Sequence, residues 1–302
     1  MESKAHMIAK LAPTSFFKRM PKRKPYQGKI KAVILDWSGT TADAHVLGPA
    51  VVFAKVFEKH GVPISMTEAR TPMGIRKDLH IGQILENPDV QKRWEKVKGH
   101  KPDPEIAGSD VQTLYKDFVP MQLQCLSEYG RLIPGTAEAL NYLKSQLQVK
   151  IGSTTGFTKA MVDILLREAA KQGYIPDSSI GGDEVPNNMG FRPAPFMLYQ
   201  NLLNLGVWPI ESVVKVDDTI TGIDEGLNAG CWTVGVAAYS NYTNVDSHEQ
   251  WDNMTEKEKE QRRQMSREKL MTSGAHYVVD SIAQLPLVVE EINERLKTGE
   301  QP

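Results

Sequence analysis

The chain has 302 residues, 40% of them hydrophobic and 24% charged, with a formal net charge of −1, which is enough for one large or two modest globular domains. That near-neutral balance gives no reason to expect nucleic acid or an anionic membrane as the main partner, and no apolar run reaches the roughly 18 residues needed to span a bilayer. Two distant cysteines, Cys125 and Cys231, have no Cys or His at metal-ligand spacing and suit free thiols in a reducing compartment such as the cytoplasm.

Residues 1–28 hold Lys4, Lys10, Lys18, Arg19, Lys22, Arg23 and Lys24 against one acid, Glu2. The composition predicts a basic, disordered tail outside the fold, with organelle targeting as the alternative. The stretch from Lys29 to Asp43, KIKAVILDWSGTTAD, organises the rest of the chain. Val33, Ile34 and Leu35 read as a strand buried on both faces, and Ser38, Gly39, Thr40 and Thr41 as a tight turn with free backbone N–H groups. A carboxylate at that strand end, beside a nest of amides, is placed to attack a phosphoryl group, which makes Asp36 the candidate nucleophile. For an isolated D-x-x-G-T, a strand-terminal Asp that caps the next turn is the plainer reading.

Gly48-Pro49 opens a helix in which Val52/Val56 and Phe53/Phe57 pair at i,i+4, and Gly61 stands where a C-terminal cap belongs. Residues 44–130 continue as helix-like pieces without a convincing strand, which predicts a helical cap over the active end of the first strand. Within it, Met73 to His80 is a passage from loop to helix; taken alone, Lys77 is a solvated helix lysine and His80 a surface or satisfied histidine. From Ile133-Pro134-Gly135 the pattern alternates helix and strand, the mark of a parallel α/β sheet. Strands are expected at 149–153, 213–216 and 232–236, with an edge strand at 277–279. Asp36, Thr155 and Asp218 should then converge at the carboxyl ends of the strands, where open α/β sheets bind ligands. Arg192, in a Gly/Pro-rich loop before a helix, offers a planar fork suited to an anion. Thr255 to Glu258 has capping-box spacing and starts a charged, solvated helix.

Asp36 with its turn, Thr155-Gly156, Arg192 and Asp217-Asp218 together resemble the four ordered motifs of the haloacid dehalogenase superfamily. In finer detail DWSGTTAD, PMG with Lys77 and His80, GSTTGFT at 152–158, RPAPF from Arg192 and NAGCWTVGV from Asn228 are similar to its phosphonatase family. The resemblance implies an α/β fold, with a doubly wound, mostly parallel sheet core formed by residues 29–43 and 131–302. A helical cap domain, residues 44–130, would be inserted in it. It also implies Mg²⁺ dependence, a homodimer formed through the caps, and hydrolysis of the carbon–phosphorus bond of phosphonoacetaldehyde. Lys77 would form a Schiff base with the aldehyde while Asp36 attacks phosphorus, and His80, one helical turn away, would relay a proton. Met73 and Gly74 would let the cap loop approach the substrate. Gly39, Thr40, Thr155, Gly156 and Arg192 would hold the phosphonyl oxygens, and Mg²⁺ would take Asp36, the Ser38 carbonyl oxygen and Asp218.

The residues give that assignment chemical sense. Ester phosphatases of the superfamily carry a second Asp two positions after the nucleophile, as acid for the leaving group; Ser38 stands there and cannot act as an acid. Losing general acid catalysis costs roughly 10² to 10⁴ in rate, whereas a carbon leaving group can use an amine. With a reference pKa near 10.4, only about one Lys77 in 2,500 would be neutral at pH 7, so its pKa must fall. Burial, and Arg76 if it faces the site, would push in that direction. Four positions depart from the family pattern. Gly222 stands where an acid is expected, Asp217 where Gly is usual, Phe157 in place of Tyr and Val46 in place of Cys. An acid moved to Asp217, outside the direct ligands of the metal, would account for the first two. The competing readings are a sugar-phosphate phosphatase or mutase of the same superfamily, disfavoured by Ser38, and a catalytically silent phosphonate-binding paralogue, suggested by Gly222.

Overall fold

A computed structural model describes residues 24–302; the basic segment before them lies outside the described residues, and with it the targeting alternative. Six strands form one sheet: β1 (Ala32–Leu35), β2 (Lys150–Thr154), β3 (Ser178–Ile180), β4 (Val213–Asp217), β5 (Trp232–Val236) and β6 (Tyr277–Val279), in the order β3-β2-β1-β4-β5-β6. Every pairing is parallel. β1 is central and alternates between the two faces. Ala32 and Ile34 meet Leu198 and Leu205, whereas Val33 and Leu35 face the larger core with Leu140, Leu143, Val289 and Ile292. Burial on both faces explains why β1 reads as an unbroken apolar run. β3 is absent from the sequence expectation because its three residues, Ser-Ser-Ile, carry no apolar run.

Of the six α-helices between β1 and β2, five fall within residues 44–130: α1 (Leu47–Lys59), α2 (Met66–Arg70), α3 (Lys77–Glu86), α4 (Pro88–Lys98) and α5 (Ser109–Cys125). Their ends follow local chemistry. The Asp43 carboxylate accepts from the amides of Leu47 and Gly48 at the start of α1, Ser65 and Glu68 form a capping box on α2, and Asn87 with Pro88 opens α4. Val52, Phe53, Val56 and Phe57 of α1 bury against Ile81, Ile84 and Leu85 of α3 and Leu114 and Phe118 of α5. The remaining helices alternate with the strands: α6 (Thr136–Ser145), α7 (Lys159–Ala170), α8 (Phe196–Leu205), α9 (Ile220–Ala229), α10 (His248–Asn253), α11 (Glu256–Met271) and α12 (Leu285–Lys297). The capping box expected at Thr255 is present at the start of α11. No described helix is long and apolar enough to cross a membrane.

Tyr26 and Gln27, placed in the tail by composition, are tied to the other end of the chain. The Tyr26 amide donates to Gln301 Oε1 and Gln27 Nε2 to the Lys297 carbonyl, so the ordered fold begins before residue 28.

Phe118 is wholly buried and stacks on Phe53 at 4.4 Å between centroids. Phe118→Ala should therefore cost about 3–5 kcal/mol through lost burial and the cavity left behind. Leu203→Ala, at a side chain 75% exposed, should change stability by no more than about 0.5 kcal/mol. Equilibrium denaturant unfolding of the two variants checks the contrast.

Candidate active site

The sheet register assembles the site. Leu35 pairs with Val216 on one side and Ser153 on the other, so Asp36 emerges between Asp217 at the end of β4 and Thr154 at the end of β2. Arg192, in the loop before α8, is buried among them. Its Nη1 lies 2.8 Å from Asp36 Oδ1 and 3.3 Å from Asp217 Oδ2, its Nε 2.9 Å from Glu225 Oε2, and its Nη2 donates to the Thr154 carbonyl and hydroxyl oxygens. Lys215, wholly buried in β4, stands 3.1 Å from both Asp217 Oδ2 and Glu225 Oε2. Sequence reasoning did not include Lys215 or Glu225. The signal was there in principle, since a lysine between valines in a strand buried on both faces must have a buried counter-charge.

Asp36, Ser38, Met73, Gly74, Lys77, Thr155, Gly156, Arg192 and Asp218 line one cavity of about 20 Å³, with Val46 and Phe157. Lys77 is not a solvated helix lysine. It is 5% exposed at the first turn of α3, its Nζ 4.6 Å from the centroid of the Phe157 ring and 5.9 Å from that of Phe53. Burial lowers its pKa to about 8; Asp36 opposes that shift and Arg192 adds to it. Arg76 does not face the site, because its guanidinium pairs with Asp78 at 2.8 Å and reaches the Asn188 carbonyl. The cation acting on Lys77 is Arg192.

Three expected site residues are placed elsewhere. The Gly39 and Thr40 amides are not free for an anion, because the tight turn consumes them: Gly39 N–H donates to the Ala42 and Asp43 carbonyls and Thr40 N–H to that of Trp37. Gly39 instead packs on Asp218, whose carboxylate occupies the space a Cβ would need. His80 does not line the cavity. Its ring stacks on Phe53 at 3.9 Å, its Nε2 lies 2.8 Å from the Ala69 carbonyl, and burial holds its pKa well below the usual range.

Asp36, Asp217 and Asp218 offer carboxylate oxygens that all lie within 4.8 Å of one another. Burial raises the Asp36 pKa to about 6, with Asp217 adding and Arg192 opposing, and holds Asp218 well above the usual range, with Asp217 and Asp36 adding. Burial also acts to raise Asp217, but Arg192 and Lys215 outweigh it and keep its pKa low. Asp218 Oδ2 accepts from the Asn241 amide, whereas its buried Oδ1 has no hydrogen-bond partner among the described residues. Of the site's four buried carboxylates, Asp36, Asp217 and Glu225 thus share Arg192 and Lys215, and among the described residues both Asp218 Oδ1 and Glu225 Oε1 lack a hydrogen-bond partner; a hard divalent cation with oxygen ligands fits that donor set. Gly222, on the first turn of α9, directly abuts Asp217, whose carboxylate fills the space of any side chain at 222.

Comparison with known proteins agrees with this architecture. Residues 30–230 match the haloacid dehalogenase-like hydrolases. A phosphonoacetaldehyde hydrolase from Syntrophobacter fumaroxidans is 39% identical over 93% of this chain and 98% of its own length. One from Bacillus cytotoxicus is 42% identical over 88% of this chain and 98% of its own. The crystal structure of a phosphonoacetaldehyde hydrolase-like protein from Oleispira antarctica superposes with a TM-score of 0.87 at 36% identity, covering 94% of this chain and 99% of the other. With its parallel α/β sheet and helical insertion, the chain belongs to the haloacid dehalogenase-like hydrolases and, within them, to the phosphonoacetaldehyde hydrolase family.

Proposed function

We propose that this protein hydrolyses the carbon–phosphorus bond of phosphonoacetaldehyde to acetaldehyde and phosphate, and that residues 44–130 act as the cap over a core of residues 29–43 and 131–302. The observation that carries the proposal is the buried Lys77 amine, with its pKa lowered to about 8, in the same small cavity as Asp36 and Arg192. Lys77 Nζ adds to the aldehyde carbon and water leaves, giving an iminium. Asp36 attacks phosphorus, the C–P bonding pair flows into the iminium to give an enamine, and an aspartyl-phosphate forms. Water releases phosphate from Asp36; protonation and hydrolysis of the enamine release acetaldehyde and restore the amine. Arg192 and the Thr155-Gly156 turn would hold the phosphonyl oxygens, and Met73 and Gly74 would close the cap side of the cavity. His80, turned from the cavity, would act only through its neighbour Lys77.

Asp36, the Ser38 carbonyl oxygen and Asp218 would hold Mg²⁺, with Asp217 supporting them from behind. When bound, the cation supplies charge that offsets repulsion between the nucleophile and the phosphonate. Asp43, beside Ser38, does not restore the acid of an ester phosphatase, because its carboxylate caps α1; this supports the phosphonatase reading over a sugar-phosphate phosphatase. A homodimer through the cap belongs to the same proposal, with a groove between α1 and α5, lined by Val51, Met121, Cys125 and Tyr129, as its surface. The free thiols of Cys125 and Cys231 favour a cytoplasmic setting.

Lys77→Arg keeps a positive charge but cannot form an iminium. Turnover of phosphonoacetaldehyde should vanish, and so should the mass increment trapped by borohydride in the wild type; near wild-type turnover in the variant would exclude the Schiff base.

The neutral amine is the reactive form of Lys77, so kcat/KM should climb with pH and level off above about pH 8. At pH 7 about one enzyme in ten would hold the neutral amine. A profile flat from pH 6 to 9 would mean that amine ionisation does not limit the reaction.

Asp218→Asn should abolish activity at any Mg²⁺ concentration. Asp217→Asn should instead shift the Mg²⁺ requirement upward by about 10- to 100-fold, the usual effect of a carboxylate that supports direct ligands. An activity titration in which Asp217→Asn overlies the wild type would remove Asp217 from the cation site.

A further inference from the structure

The cavity above Asp36, about 20 Å³, has room for roughly one water. A substrate with several heavy atoms therefore enters only when the cap moves away from the sheet, and the contacts that hold the cap down bear on the chemistry beneath it. Arg70, the last residue of α2, makes the most concentrated of these contacts. It is 3% exposed. Its Nη1 donates to the His45 carbonyl at 2.6 Å and to Asn241 Oδ1 at 3.3 Å, and its Nη2 donates to the Val245 carbonyl. Its Nε faces Asp246 at 3.7 Å. The guanidinium thus joins the cap to the loop after β5 and to the point where the chain enters the cap. That entry is itself constrained: Asp43, His45 and Val46 have φ of 51°, 67° and 54°, in the left-handed region that residues other than glycine seldom occupy.

Asn241 answers Arg70 and at the same time touches the cation site. Its Nδ2 donates to the Arg70 carbonyl at 3.2 Å, and its backbone N–H donates to Asp218 Oδ2 at 2.8 Å. The neighbouring Ser240 hydroxyl donates to the Asp218 carbonyl oxygen at 2.9 Å. The loop therefore fixes one carboxylate oxygen of Asp218 and leaves Oδ1 without a hydrogen-bond partner among the described residues.

We propose that Arg70 and Asn241 are positioning residues that form a latch, through which seating of the cap sets Asp218 to receive the cation and the bound cation in turn holds the cap down. Neither side chain is among the groups placed at the cation. Their effect passes through the loop: lifting the cap withdraws Arg70, releases Asn241, and frees the amide that orients Asp218. Because coupling between two equilibria is reciprocal, whatever cap seating adds to cation affinity, the cation returns to cap seating. The inference rests on the reading of Asp36, Asp217 and Asp218 as a cation site.

The test uses the full chain without substrate and two measurements that do not depend on turnover. Calorimetry gives Mg²⁺ affinity, and hydrogen exchange with and without Mg²⁺ follows residues 44–46 and 70–76. In the wild type Mg²⁺ should slow exchange in both segments. Asn241→Ala keeps the backbone amide and loses only the reciprocal bonds to Arg70. It should bind Mg²⁺ at least about 5-fold more weakly, the lower end of ordinary coupling, and lose the Mg²⁺-dependent protection. Arg70→Lys, which keeps the charge and loses the fork, should do the same, and the double variant should add little to either single one. Asn241→Ser, with a shorter polar side chain, repeats the test if the alanine variant melts early. A wild type that binds Mg²⁺ while Asn241→Ala or Asn241→Ser binds it equally well overturns the latch and leaves the cation reading standing. Wild-type exchange that ignores bound Mg²⁺ overturns the latch as well. A wild type that binds no Mg²⁺ overturns both readings.

Discussion

The site depends on one buried guanidinium. Arg192 has no solvent to neutralise it, and its charge is met by Asp36, Asp217 and Glu225 together. Those three carboxylates come from the ends of β1 and β4 and from α9, while the oxygens of Thr154 from β2 and the Gly74 carbonyl also accept from its N–H groups. Desolvating such a charge is costly, and removing one partner of a buried pair typically costs about 3–5 kcal/mol because the other charge is left uncompensated. The geometry of Asp36 is therefore enforced by the stability of the sheet. If Asp36 drifts, Arg192 loses one of its three counter-charges.

The same density of charge shapes the neighbouring titratable groups. Lys77 lies beside this network with the rings of Phe53 and Phe157 near its amine, and burial disfavours its charge more than Asp36 restores it. Lys215 performs the complementary task from below. It binds Asp217 and Glu225 at once and donates to the Thr154 hydroxyl, which locks the floor on which Arg192 rests. Asp218 is treated differently. It receives amide and loop contacts, but among the described residues no cation forms an ion pair with it, and burial with its neighbours Asp217 and Asp36 holds its pKa well above the usual range.

Much of this was legible in the sequence because it rests on local patterns. The β1 run ending at Asp36, the apolar i,i+4 pairs of α1, the Thr255 capping box and the alternation of helix and strand after residue 133 each carry a local physical signature. The parallel sheet then brings residues distant in sequence together, as the topology of such sheets demands. What was not legible depends on contacts that have no sequence period. The amides of Gly39 and Thr40 close on carbonyls of their own turn, and no pattern distinguishes that from an open anion nest. Arg76 lies next to Lys77 in the chain, yet Asp78 draws it away, so adjacency misnamed the charge that acts on the amine. Arg70 and Asn241 are separated by most of the chain and have no motif. Only folding discloses them.

The contact between Gly222 and Asp217 has a consequence for how this site can change over generations. An acidic side chain cannot be added at 222 while Asp217 stands, since the two would occupy the same volume. Removing Asp217 first strips Arg192 and Lys215 of a shared counter-ion. One single step is opposed by overlap and the other by lost counter-charge, so the two positions are coupled. The packing of Gly222 on Asp217 thus restricts which acidic arrangements this site can hold at one time.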